Sequence, residues 1–264
     1  MKSKLIIKSV IFLSTAILGL SSCAKNWSYE GSSSPEFWHK INKEYKFCKI
    51  GYNQSPIDIV NQKFNKIDFE IINDKDVVVK ANQEHNFIKF NIEDSSKIKF
   101  RNKIYKAKHI IFRHPSEHFV NSEQHSIEMQ ISYKSEDDQY FQLAIFLELD
   151  NKNHEIDNKN LEPIINLPAI NLPAINLPAI NLIEKREKRL NEYKINLGNF
   201  INLKDKAFAY EGSLTSPPCT ESVKWRIFKK PIIISKSQMN KIIKLALFNK
   251  SNNRPLQKFN PSQY

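Results

Sequence analysis

The stretch Ile110-Ile-Phe-Arg-His-Pro-Ser-Glu-His118 joins a short apolar run to a turn that carries charged and polar side chains. Its β-branched and aromatic residues favour a strand, which Pro115 ends because proline cannot donate a ladder hydrogen bond. Comparable runs, separated by Asn, Asp and Ser clusters, lie on both sides and predict a large, mainly antiparallel twisted sheet. The predicted strands cover residues 57–60, 76–80, 87–92, 97–104, 109–113, 127–133 and 141–146, and later 207–210 and 223–234.

One clear helix is predicted near the end of the chain, over residues 237–248, where apolar residues recur at helical spacing after serines that can cap the first turn. The chain has 264 residues and 41% hydrophobic content, which is enough for one sizeable core. We therefore expect a single domain over residues 23–264 that is mostly β, with peripheral helices.

The first 22 residues have the features of an export signal. Lys2, Lys4 and Lys8 precede an apolar run over 9–20 that is too short for a permanent membrane span. The signal ends in Leu20-Ser-Ser-Cys23, which resembles a bacterial lipobox. We expect acylation of Cys23 and a periplasmic or surface lipoprotein anchored to a bacterial membrane. Ordinary signal cleavage nearby is the alternative, and it would leave Cys23 as a free thiol.

The cysteine count fits an exported protein. If Cys23 is acylated, Cys48 and Cys219 remain as a candidate disulfide in an oxidising compartment. Spacing alone does not prove this pairing.

A pentad repeat interrupts the strand pattern at about 163–183, where Pro163, Pro168, Pro173 and Pro178 recur at every fifth residue. Proline at this spacing excludes a continuous helix and a central strand. A pentapeptide β-helix fits poorly, because this unit has Ile where that fold favours small inward residues. We predict a surface insertion, whose Ile and Leu side chains leave open a contact with a partner or membrane. A charged segment at 184–189 then predicts a helix to about Tyr193.

The chain is strongly basic, with a net charge of +12 and a pI near 9.4. This charge favours polyanions such as acidic glycans or anionic lipid headgroups. Export argues against a nucleic-acid partner. A merely solvated basic surface is the alternative, since Lys is abundant throughout the chain.

Five segments in order resemble the α-class carbonic anhydrases, and together they cover nearly the whole mature chain. Each segment alone is weak, but their common order is specific. They are Trp27-Ser-Tyr29-Glu-Gly31 with Pro35-Glu36 and Trp38, Gln54-Ser-Pro-Ile-Asp-Ile59, Pro115-Ser-Glu-His118, Gly212-Ser-Leu-Thr-Ser-Pro-Pro218 with Val223 and Trp225, and Asn253-Arg-Pro-Leu-Gln257. The resemblance implies that family's single-domain fold, and it supports the Cys48–Cys219 pair, which matches the disulfide of its bacterial members.

In that family three histidines hold a zinc ion that activates a water molecule. A gapless alignment from Pro115 places Ile111, Arg113 and Gln130 at the three ligand positions. Neither His109 nor His114 restores a pair of histidines at i and i+2. We therefore expect no cofactor. Zinc would be bound only if an unorthodox site formed from the other histidines.

Residues that match the family's outer shell remain. Thr215 matches the threonine beside the zinc-bound hydroxide, and Glu117 matches the glutamate that orients it. Ser216 replaces the usual second threonine, and Glu128 matches the residue that fixes one ligand imidazole. His85 lies loosely at the proton-shuttle position. Without a metal, His85 is an exposed histidine, and Thr215 with Glu117 can persist as a buried hydrogen-bonded pair.

Arg113 is expected to point into the former metal pocket beside Gln130 and Glu128, where a buried guanidinium needs a partner. The structural hypothesis is that Arg113 pairs with Glu128 and fills the cavity. The functional hypothesis is that its guanidinium, with the backbone N–H of Thr215, holds a small anion such as bicarbonate.

The resemblance therefore leaves enzymatic activity uncertain. The preferred interpretation is a catalytically silent, exported binding protein for a small anion or an acidic polysaccharide, since metal-free relatives include surface and receptor domains. The alternative is an active carbonic anhydrase that hydrates CO₂ at an unorthodox metal site. A decaying gene is a third possibility that one sequence cannot separate from a new function. The sequence leaves the oligomeric state open.

Overall fold

A twelve-stranded twisted sheet organises the chain in the computed structural model, which describes residues 26–73, 75–84, 87–93, 96–149, 157–166, 193–246, 251–258 and 260. Strands β1 (Asp58–Ile59), β8 (Phe119–Val120) and β9 (Glu123–Gln124) form a small separate sheet. The large sheet contains β2 (Asn65–Lys66), β3 (Glu70–Asn73), β4 (Asp76–Glu84), β5 (Phe87–Ile92), β6 (Lys97–Phe100), β7 (Lys103–Arg113), β10 (Ile127–Lys134), β11 (Tyr140–Leu149), β12 (Tyr193–Asn196), β13 (Lys206–Gly212), β14 (Val223–Phe228) and β15 (Ile232–Ile234).

The helices are short and peripheral. They are α1 (Trp38–Ile41), α2 (Phe47–Ile50), α3 (Glu162–Ile165) and α4 (Lys236–Ala246), with 3₁₀ turns at Gly31–Ser33, Pro35–Phe37, Lys43–Lys46 and Leu197–Phe200. The predicted helix at 237–248 is confirmed as α4, which begins one residue earlier. Within the described residues, no helix is long and apolar enough to cross a membrane.

The large sheet runs in the order β12-β4-β5-β7-β10-β11-β14-β13-β2. Its neighbours are antiparallel except at β11, which pairs in parallel with β14 and β15. This confirms the prediction of a mostly β fold around a mainly antiparallel sheet.

Strands β10 and β11 and the last four residues of β7 are buried on both faces, and the two faces differ in chemistry. One face carries Ile110, Met129 and Leu143 into the main apolar core, which α4 covers with Met239 and Ile242. The opposite face presents polar side chains between smaller apolar clusters. Strand alternation therefore places the polar residues of these strands on a single side of the sheet.

Three predicted strands are wrong in detail. Residues 97–104 form two strands joined by a turn at Arg101 and Asn102, where Arg101 has a φ of 54°. Residues 223–234 are also two strands, because Pro231 cannot donate a ladder hydrogen bond and the chain breaks there. Only two residues of the predicted strand at 57–60 form a strand, β1, which lies outside the large sheet and pairs with β8.

The first residues of the pentad repeat differ from the predicted surface insertion. Pro163 lies in the first turn of α3, where its missing N–H has no helical partner to lose. Ile164 and Ile165 are buried in the main core. The rest of the repeat and the predicted helix at 184–189 lie outside the described residues, and Tyr193 begins a strand. The export signal, Cys23 and His85 also lie outside them.

A disulfide joins Cys48 of α2 to Cys219, which confirms the predicted pair. The two cysteines are separated by 171 positions in the chain. Both pack in a small cluster with Tyr29, Trp38 and Phe87. The bond therefore ties the N-terminal segment to the loop that follows β13.

We expect the double substitution Cys48→Ser/Cys219→Ser to lower the free energy of unfolding by up to about 5 kcal/mol, because the closed loop is long. Urea denaturation of the oxidised protein lacking residues 1–23 measures this change, and reduction of the unsubstituted protein should reproduce it. Equal denaturation midpoints for the oxidised protein and the variant would contradict the expectation.

Candidate functional site

The polar face of the sheet contains a small cavity of about 30 Å³. This volume accommodates about one or two water molecules. Its lining residues come from β7, β10, β11, β14 and the loop after β13. They are His109, Ile111, Arg113, Gln130, Gln142, Leu214, Thr215, Ser216 and Trp225.

Strand register brings the predicted site residues together. His109, Ile111 and Arg113 alternate along β7 and share one face, as the sequence predicts. On β10, Gln130 lies directly opposite Ile111, and Glu128 lies opposite Arg113. The side chains at the three positions implied by the family resemblance therefore meet at one cavity.

Arg113 is buried, with 1% of its surface exposed, and its guanidinium is almost fully bonded. Its Nε donates to Gln130 Oε1 at 3.3 Å, and its Nη1 donates to the Tyr29 hydroxyl and to the Asn252 carbonyl. Its Nη2 lies 3.4 Å from Thr215 Oγ1. The guanidinium also lies against the rings of Tyr29 and Phe87. These contacts fix the cation in place.

The ion-pair partner of Arg113 is Glu117, four residues further along the chain, and the predicted pair with Glu128 is wrong. Arg113 Nε lies 3.3 Å from Glu117 Oε2, and both side chains are buried. Gln130 bridges the two carboxylates, because its Nε2 donates to Glu117 at 2.7 Å and to Glu128 at 2.8 Å.

Glu128 is occupied by other donors, which explains this difference. Its Oε2 accepts the backbone N–H groups of Glu117 and His118, and its Oε1 lies 2.8 Å from His118 Nδ1. Glu128 thus holds the imidazole of His118, a residue of the loop after β7 and not one of the aligned ligand positions. The other ring nitrogen of His118 lies 2.6 Å from the Tyr210 hydroxyl, which contacts Ser55 Oγ at 2.7 Å.

The two carboxyl groups have opposite pKa shifts. Burial raises the pKa of Glu117 above its ordinary value, an increase that Arg113 opposes and Glu128 strengthens. Burial acts in the same direction on Glu128, but the charge and hydrogen bonds of His118 and the amide of Gln130 hold its pKa below the ordinary value. The buried network is therefore polarised, with the firmer negative charge on Glu128.

His109 lies at the side of the cavity as a neutral base. Burial lowers its pKa to about 3, and the charges of Lys89 and Arg113 add to that effect. Within the part of the chain that the structure describes, no group of three His, Cys, Asp or Glu side chains is placed to hold a metal ion.

Thr215 and Glu117 form the buried hydrogen-bonded pair that the sequence predicts. Ser216 lines the cavity beside Thr215. Arg254 completes the arrangement, because its backbone N–H donates to Glu117 Oε1 at 2.9 Å. The Arg254 guanidinium also donates to Gln54 Oε1 and to the carbonyls of Ser55 and Cys48.

Sequence reasoning missed several partners of Arg113. Tyr29 and the Asn252 carbonyl come from the two ends of the chain, about 84 and 139 positions away from it. The motifs around Trp27 and Asn253 marked these segments, but spacing does not show which side chain contacts which. Sequence reasoning also missed Gln142, which lines the cavity and whose Nε2 donates to Ser132 Oγ. No motif marks Gln142, which the sequence places only on a predicted strand.

The comparisons with known proteins agree with this architecture. The family described as eukaryotic-type carbonic anhydrase matches residues 33–263, so the chain belongs to the α-class carbonic anhydrase family. It is 25% identical over 240 residues to a carbonic anhydrase of Nostoc sp., covering 89% of this chain and 83% of that protein. A carbonic anhydrase of Klebsiella pneumoniae is 28% identical over 254 residues, with 94% of each chain covered.

A solved structure extends the comparison to three dimensions. The α-carbonic anhydrase of Thermovibrio ammonificans, determined with the inhibitor sulfanilamide, superimposes with a TM-score of 0.72 at 28% identity. The superposition covers 89% of this chain and 96% of that one.

We expect Arg113→Met to lower the free energy of unfolding by about 3–5 kcal/mol at pH 8, because it leaves the Glu117 carboxylate buried without its cation. The loss of Arg113 raises the pKa of Glu117 further. Protonation of Glu117 therefore stabilises the variant fully below the unfolded value of about 4.3, and this stabilisation is lost as pH rises through the folded pKa. The loss of unfolding free energy caused by Arg113→Met should therefore be smaller at pH 5 than at pH 8.

The double variant Arg113→Met/Glu117→Gln is the matched control. Urea denaturation of the unsubstituted protein, both single variants and the double variant at both pH values gives the interaction free energy of the two side chains. The double variant should recover part of the stability that either single substitution removes. Additive losses in the double variant would show that the two side chains are not coupled.

Proposed function

We propose that this member of the family binds no catalytic zinc, is silent as a CO₂ hydratase and acts as an exported binding protein for acidic polysaccharides, anchored to a bacterial membrane through acylated Cys23. The observation that carries the proposal is the buried guanidinium of Arg113 at the polar cavity. In the alignment that the family resemblance implies, Arg113 stands at one zinc-ligand position, and Ile111 and Gln130 stand at the other two.

These side chains do not fit a zinc ion. Ile111 has no donor atom, and Arg113 carries a fixed positive charge that stays protonated in proteins and repels a cation. The Gln130 oxygen already accepts from Arg113 Nε. The remaining cavity histidine, His109, stands alone beside the cation. The positive charge that balances the buried carboxylates is therefore supplied by the chain itself.

A small anion is a weaker candidate ligand for this cavity. Four of the five N–H groups of Arg113 already donate within the protein, and Glu117 lies 3.3 Å from Nε. An anion at the remaining N–H would lie near a carboxylate in a cavity of about 30 Å³. We therefore place the binding function on the protein surface.

Metal content and activity test the proposal. The protein lacking residues 1–23, folded with zinc and with its disulfide formed, should contain no stoichiometric zinc by mass spectrometry and show no CO₂ hydration above background. About one zinc per chain together with hydration would overturn the proposal and favour the alternative, an active carbonic anhydrase with an unorthodox site that uses His109.

Introducing three histidines tests whether Ile111, Arg113 and Gln130 stand at the family's zinc-ligand positions. The triple variant Ile111→His/Arg113→His/Gln130→His should bind about one zinc per chain, because three imidazoles on one sheet face replace the guanidinium. The control Ile111→His/Gln130→His keeps Arg113 and should bind zinc at least about tenfold more weakly. Equal zinc affinity in the two variants would show that Arg113 does not occupy the ligand position.

A row of lysines on the sheet supports the polysaccharide ligand. Lys97, Lys106 and Lys134 lie opposite one another on the neighbouring strands β6, β7 and β10. Like charges placed directly opposite destabilise a sheet, so an external anion beside Lys97 would relieve the part of this repulsion that protein carboxylates leave. The exposed carboxylates of Glu136 and Asp138 pair with Lys106 and Lys134. Lys97 has no carboxylate partner among the described residues.

Heparin, as a model acidic polysaccharide, tests this surface. We expect Lys97→Gln/Lys106→Gln/Lys134→Gln to weaken heparin binding by about tenfold or more at moderate salt, by analogy with the contribution of about 1 kcal/mol per cation near an anionic surface. The control Lys159→Gln/Lys204→Gln/Lys230→Gln removes the same net charge from exposed positions elsewhere and should have a smaller effect. Equal losses would indicate nonspecific attraction, and no heparin binding by the unsubstituted protein would overturn the polysaccharide proposal.

A further inference from the structure

The segment from Lys40 to Tyr52 forms an exposed surface that combines lysines with large apolar side chains. It contains Lys40, Lys43, Lys46 and Lys49 at every third position, with Glu44 as its single carboxylate. All four lysines are exposed. Lys43, Lys46 and Lys49 lie along the continuous helical segment at 43–50, and Lys40 lies on α1, from which extended Asn42 separates it.

Apolar side chains lie among these lysines. Ile50 and Tyr52 are 70% and 73% exposed, and Phe47 is 41% exposed. Lys43 and Lys46 lie at i and i+3 of the 3₁₀ turn at 43–46, where such side chains stand one above the other. Phe47 and Ile50 lie at i and i+3 of α2, which continues that turn, so they are neighbours on its surface. Lys46 Nζ lies 5.3 Å from the Phe47 ring centroid. A basic helix face with aromatic and aliphatic residues is typical of a helix that lies in a membrane interface.

The protein core holds this segment rigidly. Cys48, on the opposite side of α2, is buried and bonded to Cys219. Its carbonyl accepts from Arg254 Nη2 at 3.1 Å, and Tyr45 packs against the same apolar cluster. The exposed apolar side chains are therefore presented on a fixed base and do not need to be ordered when a partner binds.

The N-terminal end of the described chain lies beside this surface. Trp27 packs against the cluster that contains Cys48, together with Ile41 and Tyr45. Cys23 precedes Trp27 by four residues, which span at most about 14 Å. A lipid on Cys23 would therefore enter a bilayer close to the lysines of this segment.

We infer that the surface formed by residues 40–52 docks onto an anionic lipid bilayer, where the lysines contact headgroup phosphates and Ile50 and Tyr52 enter the interface. A polybasic patch adds electrostatic attraction to anionic lipids beside the burial of apolar side chains. The inference is independent of polysaccharide binding, since it involves different residues from the Lys97, Lys106 and Lys134 row.

Vesicle sedimentation of the unacylated protein, residues 24–264 with the disulfide formed, tests the inference. The protein should bind vesicles that contain phosphatidylglycerol and should bind pure phosphatidylcholine vesicles much more weakly. Lys43→Gln/Lys46→Gln/Lys49→Gln should lower this binding by about tenfold or more, and Ile50→Ser/Tyr52→Ser should lower it by several-fold. Urea midpoints of both variants should match the unsubstituted protein, because all five side chains are exposed.

Two controls separate this inference from the proposed polysaccharide function. The variant at Lys97, Lys106 and Lys134 should keep its vesicle binding, and the variant at Lys43, Lys46 and Lys49 should keep its heparin binding. Absence of vesicle binding with heparin binding intact would overturn the inference alone. Equal loss of vesicle binding in Lys159→Gln/Lys204→Gln/Lys230→Gln would also overturn it, because the attraction would then depend on net charge only.

Discussion

The buried contact between Arg113 and Glu117 is the constraint on which the polar side of the sheet depends. A guanidinium that is 1% exposed needs both a countercharge and partners for its N–H groups. Glu117 supplies the charge, and Gln130, Tyr29, Thr215 and Asn252 supply the hydrogen bonds. These partners come from distant parts of the chain. The cation can therefore remain buried only when the whole domain has folded around it.

The same network joins segments of the chain that carry the resemblance motifs. Glu117 accepts the backbone N–H of Arg254, whose guanidinium bonds Gln54 and the carbonyls of Ser55 and Cys48. The disulfide at Cys48 then connects this group to the loop that carries Thr215. Each of the five motifs thus contributes at least one residue to one buried polar core, whether or not that core binds a ligand. These residues are Tyr29, Gln54, Ser55, Glu117, Thr215 and Arg254.

The sequence was sufficient for the sheet, helix α4, the disulfide and the grouping of Ile111, Arg113 and Gln130, because these depend on periodicity, on cysteine count and on motif order. It was insufficient for the ion-pair partner of Arg113. Glu117 and Glu128 are both buried carboxylates near it, and the choice depends on the N–H groups of Glu117 and His118, which donate to Glu128. Loop geometry of this kind has no periodic signal. The turn at Arg101 was missed for a similar reason, since no Gly or Pro marks it.

A fixed guanidinium and a metal ion satisfy a buried carboxylate network in different ways. A metal provides an open coordination position, whereas Arg113 donates most of its N–H groups to the protein and leaves a cavity of about 30 Å³. In the proposed function, the interior of the domain is a structural core, and the positive charge that would meet a partner lies outside it. Two separate lysine groups, one on strands β6, β7 and β10 and one along residues 40–49, carry such charge. Their different surroundings, a sheet face in one case and exposed Phe47, Ile50 and Tyr52 in the other, suit a solvated polyanion and a lipid interface respectively.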